Sequence, residues 1–177
     1  MLLAASSGAT SAATLDFSEL GEGVFVSGTT QGISGASLAT DGDGFIVGEQ
    51  FEYSICAASS VDESCANDLQ IDFAEAVINL SFVVTGYNDG DLVNLSVFGA
   101  FSNLLGSINI VGDGPVDLAG FGAIGSLNFD DSSTGRGFTY RDFTFDVAPI
   151  PLPASAWLLL GALGGLGALA RRKRLTA

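Results

Sequence analysis

The sequence predicts an all-β domain, an antiparallel β-sandwich of jelly-roll-like form, and three observations carry that expectation. Apolar and polar residues alternate with period 2 through many short runs, as strands with one buried face require. Clusters of Gly, Asp, Asn and Ser separate those runs at residues 41–44, 88–91, 112–115 and 130–137, where they favour turns. No long stretch before residue 150 repeats with the 3.6-residue period of a helix. Only FAEAVINL, residues 73–80, is arguable as a helical turn.

The strands follow in chain order. FEYSI sets Phe51, Tyr53 and Ile55 on one face, and VINLSFVV sets Ile78, Leu80, Phe82 and Val84 together. NLSVF aligns Leu95 with Val97, INI pairs Ile108 with Ile110, SLNF pairs Leu127 with Phe129, and FTFDV aligns Phe143, Phe145 and Val147. Sheets of such strands bury their Phe, Ile, Leu and Val face and leave Asp, Asn, Ser and Thr in water. Six of the 13 Phe fall in these runs, so core packing is their first assignment. Pattern does not give strand order, and an immunoglobulin-type topology is the alternative. Residues 13–148 suffice for one core but hardly for two.

Cysteine and charge narrow the chemistry. Cys56 and Cys65 are the two cysteines, nine positions apart in CAASSVDESC. A structural disulfide is expected there, constraining the unfolded chain by roughly 2–3 kcal/mol; two free thiols are the alternative. Two thiols without any histidine do not make a zinc quartet, and the spacing is not that of a redox pair. All 20 acidic side chains lie within residues 13–150, against two of the six basic ones, Arg136 and Arg141. Such a surface repels phosphate backbones, so no nucleic-acid partner is expected.

The absence of histidine, and of lysine before the tail, removes Ser–His–Asp, Cys–His and Lys-based catalysis. Carboxylates remain. Asp130 and Asp131 are adjacent and point to opposite faces of a strand, so they do not oppose each other across a glycosidic bond. The domain is therefore expected to be non-catalytic. Ca2+ is the one cofactor the acidic loops suggest. Asp41, Asp43 and Glu49 stand in DGDGFIVGE, which opens like an EF-hand loop but puts Phe45 at the third liganding position, so that motif fails. Asp89 with Asp91, and Asp113 with Asp117, are loop carboxylates with oxygens to offer a cation. The plainer reading is that Asp-Gly text makes turns. Tyr87 and Tyr140 are the first residues to inspect for sugar binding.

Both ends of the chain suggest export. Residues 1–12 read as a truncated signal-peptide remnant, without a basic n-region but with Thr10 and Ala12 at small-residue cleavage positions. This implies a true start upstream; an N-terminal segment of a non-exported product is the alternative. Residues 149–153 form a proline-rich motif that stops any upstream element. Residues 154–170 are an uncharged run expected to be a C-terminal transmembrane helix. As a helix they reach about 26 Å, slightly short of a hydrocarbon core of about 30 Å. Residues 171–177 form a basic tail, with Arg171, Arg172, Lys173 and Arg174 as the stop signal on the cytoplasmic side.

The segment Ile150, Pro151, Leu152, Pro153 and Ala154, followed by Trp157 to Leu160 and then RRKR, resembles the C-terminal sorting signal of bacterial PEP-CTERM proteins in the VPLPA variant, with Ile150 in place of Val. The resemblance covers about 28 of the 177 residues. It implies an exosortase-type membrane transpeptidase as partner and the inner membrane as the tail's location before processing. The final location would be the cell envelope, cell surface or extracellular matrix. The function expected on this basis is a non-catalytic exported surface or matrix protein. The alternative is a carbohydrate-binding β-sandwich associating with exopolysaccharide, with or without Ca2+, and a third reading is a glycoside hydrolase.

Overall fold

A 17-residue strand organises the molecule. The computed structural model describes residues 12–21, 23–26, 31–40, 44–48, 53–58, 64–86, 88 and 90–149. Among these run β1 (Ala12–Thr14), β2 (Gly23–Val26), β3 (Gln31–Ile33), β4 (Ala36–Thr40), β5 (Gly44–Gly48) and β6 (Ser54–Ala58). They are followed by β7 (Leu69–Thr85), β8 (Val93–Gly99), β9 (Leu104–Ile110), β10 (Gly114–Asp117), β11 (Ile124–Asp131) and β12 (Thr139–Val147). Two 3-10 turns, Phe17–Leu20 and Ala119–Phe121, are the helical elements described.

The first half of β7 pairs with β4 on one edge and β11 on the other; the second half pairs with β12 and β10. Between the halves the inward positions slip. Leu69, Ile71, Phe73 and Val77 are buried, and then Leu80, Phe82 and Val84. Asn79 takes a φ of 55°, and the β12 register shifts opposite it, so one extra residue bulges out of β7. Its side-chain amide donates to Asp146 Oδ2 at 2.9 Å and ties the bulge to β12. Ile78 consequently leaves the inner face that simple alternation assigns to it, and the suggested helical turn at residues 73–80 is strand.

The hydrogen-bonded order is β2-β5-β6-β12-β7-β11-β8-β9, with β1 on β12, β10 and β4 on β7, and β3 on β4. The sheet folds over at β7 into two layers, because β11 and β12 do not pair yet Phe129 and Tyr140 meet with ring centroids 4.3 Å apart. Phe82 stacks on Phe143 at 4.8 Å, and Phe17 stands edge-on to Phe143 at 5.7 Å. One core thus joins both layers. Truncating a ring such as Phe82 would cost about 3–5 kcal/mol. The expected jelly roll of two separate sheets gives way to a single antiparallel sheet wrapped on itself.

The fold class is corrected in a second respect, the C-terminal transmembrane helix. Among the described residues no helix is long and apolar enough to cross a membrane. Residues 154–170, on which that expectation rested, lie outside the described residues, as do residues 1–11 and 171–177. An uncharged run that falls short of the bilayer core does not establish a span through composition alone.

Candidate functional site

The outer side of the β1–β12 pair carries a pocket of about 330 Å³ lined by Thr14, Leu15, Asp16, Phe17, Tyr53, Asp142 and Thr144. Thr14 faces Thr144 because β1 pairs antiparallel with the end of β12. The chain then leaves β1, with the Leu15 N–H donating to the Phe143 carbonyl at 3.1 Å, and enters a 3-10 turn. Asp16 caps that turn. Its carboxylate accepts from the Ser18 hydroxyl at 2.5 Å and from the Ser18 N–H at 2.9 Å. These two bonds, the hydroxyl first, hold the carboxyl below its ordinary value and keep it ionised. Phe17, buried against Phe143, fixes the turn to the core.

Two unusual backbone conformations complete the rim. Tyr53 precedes β6 with a φ of 53°, and Asp142 interrupts β12 with a φ of 56°. Both are in the left-handed region, which costs a non-glycine residue on the order of 1–3 kcal/mol and is uncommon for a bulky side chain. Of the four described non-glycine residues at positive φ, two therefore line this one pocket. The register between β12 and β7 shifts from Arg141 to Thr144, so Asp142 bulges outward while Tyr140, Phe143 and Phe145 stay buried. Arg141 Nη1 lies 3.4 Å from Asp142 Oδ2. Tyr53 keeps 37% of its surface exposed. The pocket therefore combines an apolar floor of Leu15 and Phe17, an accessible aromatic ring, two carboxylates and two threonine hydroxyls.

The residues singled out by the sequence have other places. Tyr140 is 2% exposed, packed against Phe82 and Phe129. Burial, then Asp131 and Asp68, pushes its hydroxyl well above the usual value of 10, and it is a core residue. Tyr87 lies outside the described residues, as do Asp41, Asp43, Glu49 and Asp89. Asp91 is 4% exposed and staples a loop: Oδ2 accepts from the Asn88 N–H at 2.8 Å, Oδ1 from the Gly135 N–H at 3.1 Å and the Gly137 N–H at 3.4 Å. Asp117 accepts from the Ala119 N–H at 2.9 Å, while Asp113 is exposed at the other end of β10. A strand of that length separates the two by roughly 13 Å, so they do not share a cation. Among the described residues no group of three or more His, Cys, Asp or Glu is placed to hold a metal. Cys56 and Cys65 are joined by a disulfide with Cα atoms 5.3 Å apart.

Sequence reasoning missed Asp16, Tyr53 and Asp142. Two of them left a trace. DFSE at residues 16–19 has the acid-x-x-acid spacing of a turn start. The inward residues Tyr140 and Phe143 are three apart rather than two, the mark of a bulge between them.

These features define a class: a sandwich-like antiparallel β domain with a small acidic pocket rimmed by one exposed aromatic ring. No family model matches the chain, and no curated protein matches it. The assignment to PEP-CTERM proteins is thereby overturned. With it go the exosortase-type partner, the membrane association through a C-terminal span, the inner-membrane and envelope location, and the function as a sorted surface protein. The five-residue motif Ile150–Ala154 and the basic group Arg171, Arg172, Lys173 and Arg174 lie outside the described residues. A short tail motif that no family model supports does not assign the chain to a family.

Proposed function

We propose that this domain is a non-catalytic carbohydrate-binding module that takes a neutral saccharide into the pocket formed by Tyr53, Asp16 and Asp142. The observation that carries this reading is Tyr53, a bulky residue held at positive φ with its ring on the rim of a concavity. Strained positions that surrounding structure maintains cluster at binding sites. A tyrosine ring offers the flat C–H face of a sugar an apolar surface, with a hydroxyl to engage its edge. The carboxylates of Asp16 and Asp142 accept hydrogen bonds from sugar hydroxyls, and such charge-assisted bonds are stronger than neutral ones. Thr14 and Thr144 both donate and accept.

Two further points favour binding of a neutral sugar over hydrolysis or an acidic polymer. A glycosidase needs one carboxyl kept protonated as general acid, whereas the bonds from Ser18 hold Asp16 ionised. The formal charge of -14 opposes uronic or phosphorylated chains. The test is a screen of neutral glycans followed by calorimetric titration in EDTA and in about 1 mM Ca2+, a concentration that would load even a weak site. Tyr53→Ala should weaken binding by about tenfold or more, as loss of an anchoring aromatic does, and Tyr53→Phe should retain most of it. The reading fails if no neutral glycan binds, or if Tyr53→Ala binds as well as the parent.

A further inference from the structure

The strand β9 closes one end of the hydrogen-bonded path, and among the described residues no strand pairs with its outer edge. An antiparallel edge strand turns the N–H and C=O of alternate residues outward, which makes it a template for another strand. Proteins ordinarily blunt such edges with charge, proline, bulges or short length. The flanking strand β10 has Pro115 and Asp117, and β3 is three residues long. By contrast β9, LLGSINI, is seven residues without charge or proline, and its one bulge, at Leu105, leaves Gly106–Ile110 regular.

The surroundings of β9 point the same way. Residues 92–112, the whole β8–β9 hairpin with its flanks, contain no charged side chain in a chain with 20 acidic ones. Along this hairpin Phe101 is 94% exposed, Val111 63% and Leu104 61%. An acidic molecule repels its own copy almost everywhere, and this edge is where two copies approach without opposing like charges.

We infer that β9 is the docking edge for a second copy of this chain, paired antiparallel about a two-fold axis at Ser107. That register sets Gly106 against Ile108 on each side of the axis, and the bulge at Leu105, where β9 slips by one residue against β8, ends the regular ladder there. The pairing is self-complementary, as an isologous interface must be. The inward-facing Ile108 and Ile110 of each copy then extend one another's apolar layer across the joined sheets. The pockets at Tyr53 are on the β12 side of the fold and stay open in such a pair.

Sedimentation equilibrium of the full chain over a range of concentrations tests the inference. A monomer–dimer equilibrium is expected. Ser107→Lys, which brings two like charges opposite each other at the axis, should raise the dimer dissociation constant about tenfold or more. Ala123→Lys, an exposed site in the loop before β11, adds the same charge elsewhere and should leave it unchanged. Circular dichroism and melting of both variants verify that they fold. Outward amides of residues 106–108 should also exchange more slowly in concentrated than in dilute protein. A monomer at about 1 mM, or association that survives Ser107→Lys, overturns the inference.

Discussion

Asp131 lies at the inward phase of β11, opposite Val93. Its Oδ1 accepts from the Ser133 N–H at 2.8 Å, while Oδ2 is buried with no partner among the described residues. Burial raises this carboxyl above its ordinary 3.8; the Ser133 bonds oppose the shift, and Asp91 and Asp68 add to it. The folded protein therefore binds the proton more tightly than the unfolded chain. The stability this contributes is fully present below pH 3.8 and is lost as pH rises through the folded value. At neutral pH the ionised group is a burden. Asp131→Asn keeps the acceptor for Ser133 and replaces the unpaired oxygen with a donor. It should raise the urea midpoint at pH 7, and the gap should close as pH falls toward about 3.5. A variant less stable than the parent at pH 7 would contradict this account.

The clip between Gly137 and Cys65 acts one level up, at the junction of elements. Gly137 precedes β12 with a φ of 73°, and a Cβ there would run into the Cys65 backbone carbonyl. The Cys65 N–H donates to the Arg136 carbonyl at 2.6 Å, so the disulfide from β6 is fastened to the entry of β12. Gly137→Ala should cost about 2–4 kcal/mol, from the left-handed φ together with the clash. Gly120→Ala, with no atom within 4 Å of its added carbon, should cost little. Urea unfolding of the two variants measures the difference, and equal midpoints would remove the clip from the account.

The same scale explains what sequence could and could not convey. β8 was legible because its alternation is unbroken, each inward residue sitting two from the next, and so was the Leu127–Phe129 stretch of β11 beyond that strand's own register shift. The long strand β7 was not. Its inward Phe73, Val77 and Leu80 are four and three apart, and a bulge thereby imitates the spacing of a helix. Tyr53 shares parity with Ile55, so alternation pointed it inward, whereas a positive φ turns it outward. Hydropathy does not encode backbone handedness. The pocket also draws its acids from residues 16 and 142, which only the β1–β12 pairing brings together.

For the whole molecule, 20 acidic against six basic side chains make the compact state self-repelling. Screening length falls from about 30 Å at 0.01 M salt to about 3 Å at 1 M. The melting temperature should therefore rise by several degrees between those conditions with sodium chloride. A flat or falling profile would mean that the charges are too far apart to matter.

β12 lies between β7 on one side and β6 and β1 on the other, and it is also the last of the described strands in the chain. On a ribosome adding roughly 5–20 residues each second, Thr144 is joined some 7–26 s after its partner Thr14. Until that moment β1 has no strand to pair with, and β7 carries an unpaired edge along its second half. The earlier strands can assemble the β11 layer as they emerge, but the other layer must wait. The nascent domain is thus an open half-shell until its final strand arrives, and that interval is when it is most exposed to mispairing with another chain.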